Sequence, residues 1–178
     1  MHTKIFILTM LISCSKLPSN NERTENRERA LNKRLELSAP VLQSSIEKFK
    51  DFYSDFSVKQ IESKLKGLYA QNSYFKDGVK SVEGIDQLDL YFKHSVKNIY
   101  SCKFEIEDVI IKENSTYFRW KMNLQKKKND AVSIHFGMSY VLFDVDGKIL
   151  FHQDYLDFSE LLEDVTLIGS LIKYIKNY

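Results

Sequence analysis

Two cysteines, two prolines and six glycines in 178 residues exclude several architectures at once. Glycine and proline are too sparse for collagen-like tracts or low-complexity linkers, and no internal repeat is present. Charge of one sign is missing too. Twenty-six Lys and Arg stand against 24 Asp and Glu, a net charge of +2, whereas a nucleic-acid surface needs a basic excess gathered on one face. No nucleic-acid partner is expected. No apolar run approaches the roughly 20 residues that cross a bilayer as a helix. There is no glycine-rich phosphate loop, no Cys-x-x-Cys and no His-Glu-x-x-His, and the four histidines lack ligand spacing. Neither a metal nor a cofactor is expected. Gly137-Met138-Ser139 has Val141 where a nucleophile elbow needs a second glycine, which argues against serine hydrolysis.

What is present starts at the N-terminus. His2 and Lys4 precede a short apolar run, Ile5 to Ile12, that ends at Ser13-Cys14. A positive charge before so short a run is the pattern of a secretory signal, not of a membrane span. Residues 1–13 therefore read as a signal peptide. Residues 14–37 are polar, with interleaved acids and bases from Glu22 to Glu36, and read as a solvated or weakly helical tether. Cys14 opens the tether, and if its thiol is acylated Cys102 is the one remaining thiol and no internal disulfide can form. It opens the strand-like Lys103 to Glu107 and reads as a small buried apolar residue.

The folded domain is expected over residues 38–178, where 43% apolar and 13% aromatic content for the whole chain suffices for one core. Ser38 and Pro40 open a helix carrying Leu42, Ile46, Phe49, Tyr53 and Phe56 at helical spacing. A second helix runs through Ile61, Leu65 and Leu68, and a third, after Gly84, through Ile85, Leu88 and Val96. Phe118, Trp120, Met122 and Leu124 alternate with polar residues, which predicts a strand with one wet face. Val132–Phe143 and Ile149–Phe158 follow as strands around the turn Asp144 to Lys148. Leu161, Val165, Ile168, Ile172 and Ile175 recur at helical spacing behind them. Three or four helices on one antiparallel sheet make an α+β domain.

Specific fragments carry a resemblance. Leu68-Tyr69-Ala70 with Phe75-Lys76-Asp77, Val82-Glu83-Gly84, Arg119-Trp120-Lys121-Met122, Gly147-Lys148-Ile149 and Asp154-Tyr155-Leu156-Asp157 are, in order and spacing, similar to the nuclear transport factor 2-like (SnoaL-like) family. That resemblance implies a conical domain, its curved antiparallel sheet wrapped around the helices to leave one pocket. It implies in many members a homodimer, and in some an isomerase, hydrolase or cyclase activity, so it leaves function open. Leu11-Ile12-Ser13-Cys14 likewise resembles the lipobox of bacterial lipoproteins. On that resemblance Cys14 is lipidated, with palmitate among its acyl chains, and anchors the chain to a membrane of the bacterial cell envelope. Ser15 after the cysteine favours the outer membrane.

Within such a cone a proton-transfer enzyme needs a carboxylate base and donors for a developing oxyanion. Asp154, a carboxylate inside an otherwise apolar strand, is the best base, with His135 or a tyrosine as donor. Tyr53, Tyr69, Asp77, Trp120, Tyr140 and His152 are candidates to line a site for a small apolar molecule. Asp77 before Gly78 also suits a turn, and Asp157 suits a helix cap. His152 and Asp154, two apart, share a strand face. A turn of two or four residues continues that face onto His135, Gly137 and Ser139. A turn of three or five continues it onto Met138 and Tyr140. The favoured reading at this level is a non-enzymatic binding domain; the alternatives are a proton-transfer isomerase or lyase and a dimerising interaction module.

Overall fold

The computed structural model describes residues 20–32, 37–78, 80–112 and 115–157. The leader with Cys14 and the C-terminal apolar repeat from Leu161 to Ile175 lie outside the described residues. Contacts divide the chain into two compact units, and Asn20–Leu156 holds every described element. These run α1 (Asn20–Leu31), α2 (Ala39–Tyr53), α3 (Val58–Leu68), β1 (Tyr69–Lys76), β2 (Ser81–Glu83), α4 (Ile85–Val96), β3 (Ser101–Lys112), β4 (Ser115–Gln125), β5 (Ser133–Phe143) and β6 (Ile149–Leu156). The six strands form one sheet ordered β2-β1-β6-β5-β4-β3.

Local chemistry sets the helices. Ser57 caps α3, its hydroxyl accepting from the Gln60 amide. Pro40 stands in the first turn of α2 after an extended Ser38, as the sequence predicts, though the Ser38 side chain makes no cap bond. The apolar stripe of α2 buries Ile46, Phe49, Phe52 and Tyr53, and α4 buries Ile85, Leu88, Phe92 and Val96. Phe56, the last residue of the predicted stripe, falls beyond α2 but still packs edge-on to Phe92 and Phe104. Against the sheet, Phe49 stacks on Phe118 with centroids 3.9 Å apart. Cys102 is buried, and that burial pushes its thiol up to about 12, the inert cysteine the sequence suggests.

Two features of the sheet differ from expectation. It is mixed: β1 runs parallel to β6, with Phe75 opposite His152 and Lys76 opposite Gln153, while the other pairs are antiparallel. The second feature is the β5–β6 register. The turn between Phe143 and Ile149 spans five residues, organised by Asp144, whose carboxylate accepts from the amides of Asp146 and Lys148. Gly147 adopts φ 76° there, and a Cβ would meet Ser45 Oγ at 2.3 Å, so only glycine fits. Five residues alone would set Met138 and Tyr140 beside His152 and Asp154. A register shift between Leu142 and Phe143 reverses that parity and brings Ser139 opposite Asp154 and Val141 opposite His152.

The other sheet face is covered in part by α1, inside the stretch read as a tether. Leu31 and Tyr117 pack on Tyr74, Tyr140, Leu142 and Phe151, and Arg27 Nε donates to Gln153 Oε1 at 3.3 Å. Further along that face Ile134, Phe136, Met138 and Tyr155 are exposed.

Phe49→Ala should remove the stacked contact with Phe118 and lower stability by about 3–5 kcal/mol. Phe136→Ser, at an exposed position, should stay within about 0.5 kcal/mol of the parent when both variants are followed by urea titration.

Candidate functional site

Aromatic residues of α2 and the inward positions of β1, β4, β5 and β6 meet on the helix-covered face. There a chain of polar groups crosses an otherwise apolar interior. Tyr53 Oη lies 2.6 Å from Tyr69 Oη, and Tyr69 Oη lies 2.6 Å from His152 Nδ1. His152 Nε2 lies 2.8 Å from Asp154 Oδ1. On the other side of the carboxylate, Ser139 Oγ donates to the same Oδ1 at 2.5 Å and accepts from Trp120 Nε1 at 2.9 Å. Tyr53, Tyr69, Trp120, Ser139 and His152 are all buried, and Asp154 keeps 18% of its side-chain exposure.

With an ionised carboxylate and a neutral imidazole, the partners set the direction of every hydrogen. An ionised carboxylate only accepts, so His152 Nε2 carries the proton. In a neutral imidazole Nδ1 is then an acceptor, filled by the Tyr69 hydroxyl. The Tyr69 oxygen in turn accepts from Tyr53. An indole nitrogen only donates, so the Ser139 hydrogen is left for Asp154. All five hydrogens point along the chain towards Oδ1. Among the described residues none donates to Oδ2. Ser139 faces the carboxylate instead of the imidazole, so the three residues are not a nucleophilic triad.

Burial is the main reason both phenols are held well above their ordinary value of 10.0. For Tyr53 the charges of Tyr69 and Asp154 add to it, while for Tyr69 the bond to Tyr53 partly offsets it. Neutral tyrosines are what the direction above requires.

The remaining sequence candidates fall elsewhere. Asp77 sits where β1 ends, next to the end of β6, and its carboxylate accepts from the Lys80 amide at 2.8 Å and from the Tyr91 hydroxyl. It is thus a turn residue, at the point where β1 leaves its pairing with β6. Burial first, then the Asp77 charge, pushes the Tyr91 phenol upward, and Asp154 adds to the effect. His135 does not join Asp154. It is buried beside Ser133 Oγ at 3.2 Å, four residues along β5 from Ser139, or about 13 Å. Tyr140 does not line this face at all; the parity set by the register shift turns it into the cluster under α1. Ser139 and Tyr91 were not among the predicted site residues. The one signal pointing to Ser139 was its shared face with Gly137, usable only once the register was known. Asp157 is exposed, and any helix it caps lies outside the described residues. Among the described residues no group of His, Cys, Asp and Glu is placed to hold a metal ion.

This architecture, α2, α3 and α4 on one face of a curved mixed sheet, is the nuclear transport factor 2-like cone. The family profile of the SnoaL-like domain matches residues 49–152, more than half the chain. The chain belongs to that family. Solved structures share the fold at low identity. One, from Jannaschia sp. CCS1, has a provisional assignment as a SnoaL-like polyketide cyclase; it aligns with TM-score 0.61 and 8% identity over 73% of this chain and 96% of its own. A nuclear transport factor 2-like protein of unknown function from Burkholderia pseudomallei K96243 aligns with TM-score 0.59 and 12% identity, covering 68% and 97%. A protein of ketosteroid isomerase-like fold from Catenulispora acidiphila DSM 44928, solved with trimethylamine, gives TM-score 0.58 and 13% identity over 69% and 92%. No curated protein matches the sequence.

A raised phenol pKa has a defined linkage. The folded state keeps the Tyr53 and Tyr69 protons above pH 10 while the unfolded chain releases them, so stability is complete below pH 10 and falls as pH rises beyond it. In an alkaline titration, tyrosinate absorbance from these two residues should appear only together with loss of near-ultraviolet dichroism. Tyr53→Phe/Tyr69→Phe should flatten the pH dependence above 10.

Proposed function

We propose that the domain is a proton-transfer enzyme of the isomerase or lyase kind, acting on a small, largely apolar molecule with Asp154 as the base. The observation that carries this reading is the buried chain whose hydrogens all end on Asp154 Oδ1, on a side chain that keeps 18% exposure and whose Oδ2 takes no donor among the described residues. In the step, a C–H bond next to a carbonyl breaks. Its proton goes to Oδ2 and its electron pair into the enolate; the same carboxyl then returns a proton to the same or a neighbouring carbon. His152, held by Tyr69, keeps Oδ1 occupied and fixes the carboxylate in place.

A second reading, binding of a small apolar molecule without chemistry, rests on the SnoaL-like family and on the aromatic character of the inner face, where Tyr53, Phe56, Phe104 and Trp120 gather. Around the domain, the proposal keeps the lipid anchor at Cys14 and a place in the bacterial cell envelope, on the strength of the Leu11-Ile12-Ser13-Cys14 resemblance. A homodimer would use the exposed Ile134, Phe136, Met138 and Tyr155.

Incubation with simple enolisable cyclic ketones in deuterated water should give enzyme-dependent deuterium incorporation by NMR. Asp154→Asn should lower that rate by roughly 100-fold or more while leaving the fold intact. Ketones that raise the melting temperature equally in parent and Asp154→Asn, with no deuterium incorporated, would replace the enzymatic reading with the binding one. Separately, full-length chain produced in a bacterium fed labelled palmitate should become labelled, and Cys14→Ser should not.

A further inference from the structure

The hydrogen-bond chain approaches Asp154 from two sides, and the proposed function gives a separate task only to the histidine side. The other side has its own construction. Trp120 on β4 lies opposite Gly137 on β5, and a Cβ added at Gly137 would meet Trp120 Cη2 at 2.3 Å and Cζ2 at 2.5 Å. It would also meet the Tyr155 carbonyl oxygen at 2.8 Å. The indole therefore lies directly over this glycine, and any larger residue would displace it. From that seat its Nε1–H reaches Ser139 Oγ at 2.9 Å, and Ser139 reaches Asp154 Oδ1 at 2.5 Å. Phe104 closes the other side of the indole edge-on at 5.1 Å.

Without that arm the carboxylate could turn about its terminal torsion and exchange which oxygen faces His152. A hydroxyl with a free rotor would not prevent it, since it could donate elsewhere. Trp120 removes that freedom: by filling an acceptor position on Ser139 it leaves the hydroxyl hydrogen directed at the carboxylate. Two donors on one oxygen, from β6 and from β5, then hold the carboxylate in one orientation, with no donor on its other oxygen among the described residues.

We propose that Gly137, Trp120 and Ser139 form a positioning arm that locks Asp154 with Oδ1 engaged and Oδ2 presented to the bound molecule. The proposal rests on the reading of Asp154 as the base, but its test needs no substrate. Trp120 is the single tryptophan of the chain, so one indole N–H resonance reports on the arm. In Ser139→Ala that proton should move upfield and exchange with solvent roughly tenfold faster, as its acceptor is lost. Asp154→Asn does not touch the indole, yet should move the same proton upfield by a smaller amount, because Ser139 is no longer polarised by an anion. Gly137→Ala should reproduce the Ser139→Ala effect; if that variant does not fold, the first two decide. An indole proton that Asp154→Asn leaves in place in a folded protein would overturn the arm, as would one indifferent to Ser139→Ala. If the indole responds while no ketone exchanges deuterium, the arm stands and the base assignment falls. If deuterium exchange depends on Asp154 while the indole is silent, the reverse holds.

Discussion

An imidazole buried to 1% exposure has to be satisfied at both nitrogens, and most of the organisation of this domain follows from how His152 meets that demand. One nitrogen requires a donor from the helical side of the strand, and the Tyr69–Tyr53 pair supplies it. The other requires an acceptor, and Asp154, two residues further on the same strand, supplies that. Each of those partners is fixed by a different piece of the fold. Tyr53 ends α2, Tyr69 opens β1, and Asp154 depends on β6 standing in its observed register with β5. A shift of one residue in any of them would leave a polar group stranded in an aromatic interior.

The same demand explains why the site is electrostatically plain. Among the described residues the Asp154 charge is met by neutral donors and an imidazole, with no lysine or arginine beside it. Neutral dipoles stabilise an anion without cancelling its charge. A guanidinium at hydrogen-bond distance would have tied up both oxygens at once.

Much of this was legible from residues alone. The stripes of α2, α3 and α4 and the alternation of β4 placed the helices and the inner sheet face, because burial against one layer imposes those periods. Asp154 stood out as a carboxylate in an apolar strand. Three things were not legible. Strand pairing between β1 and β6 joins distant segments, and neither segment carries a mark of its partner. The register shift at Phe143 overrides what turn length implies, so the choice left open between the face of Ser139 and the face of Tyr140 could be made only from the structure. The docking of α1 is hidden by a polar sequence that buries little beyond Leu31 and a hydrogen bond from Arg27.

The parallel contact of β1 with β6 has a consequence for synthesis on the ribosome. The chain emerges helices first, with β1 early and β6 last among the described strands. Until Leu156 is out, β1 has only the three-residue β2 beside it, and one long edge stands open. The aromatic stripe of α2 meanwhile lacks both His152 and, until β4 is made, Phe118. Docking of the helices onto a finished sheet therefore waits for the final strand, with the loop-closure cost of distant pairing met at the end. A nascent chain stalled before Ile149 exposes an unpaired strand edge and a row of phenyl rings together. That is the combination chaperones and proteases recognise.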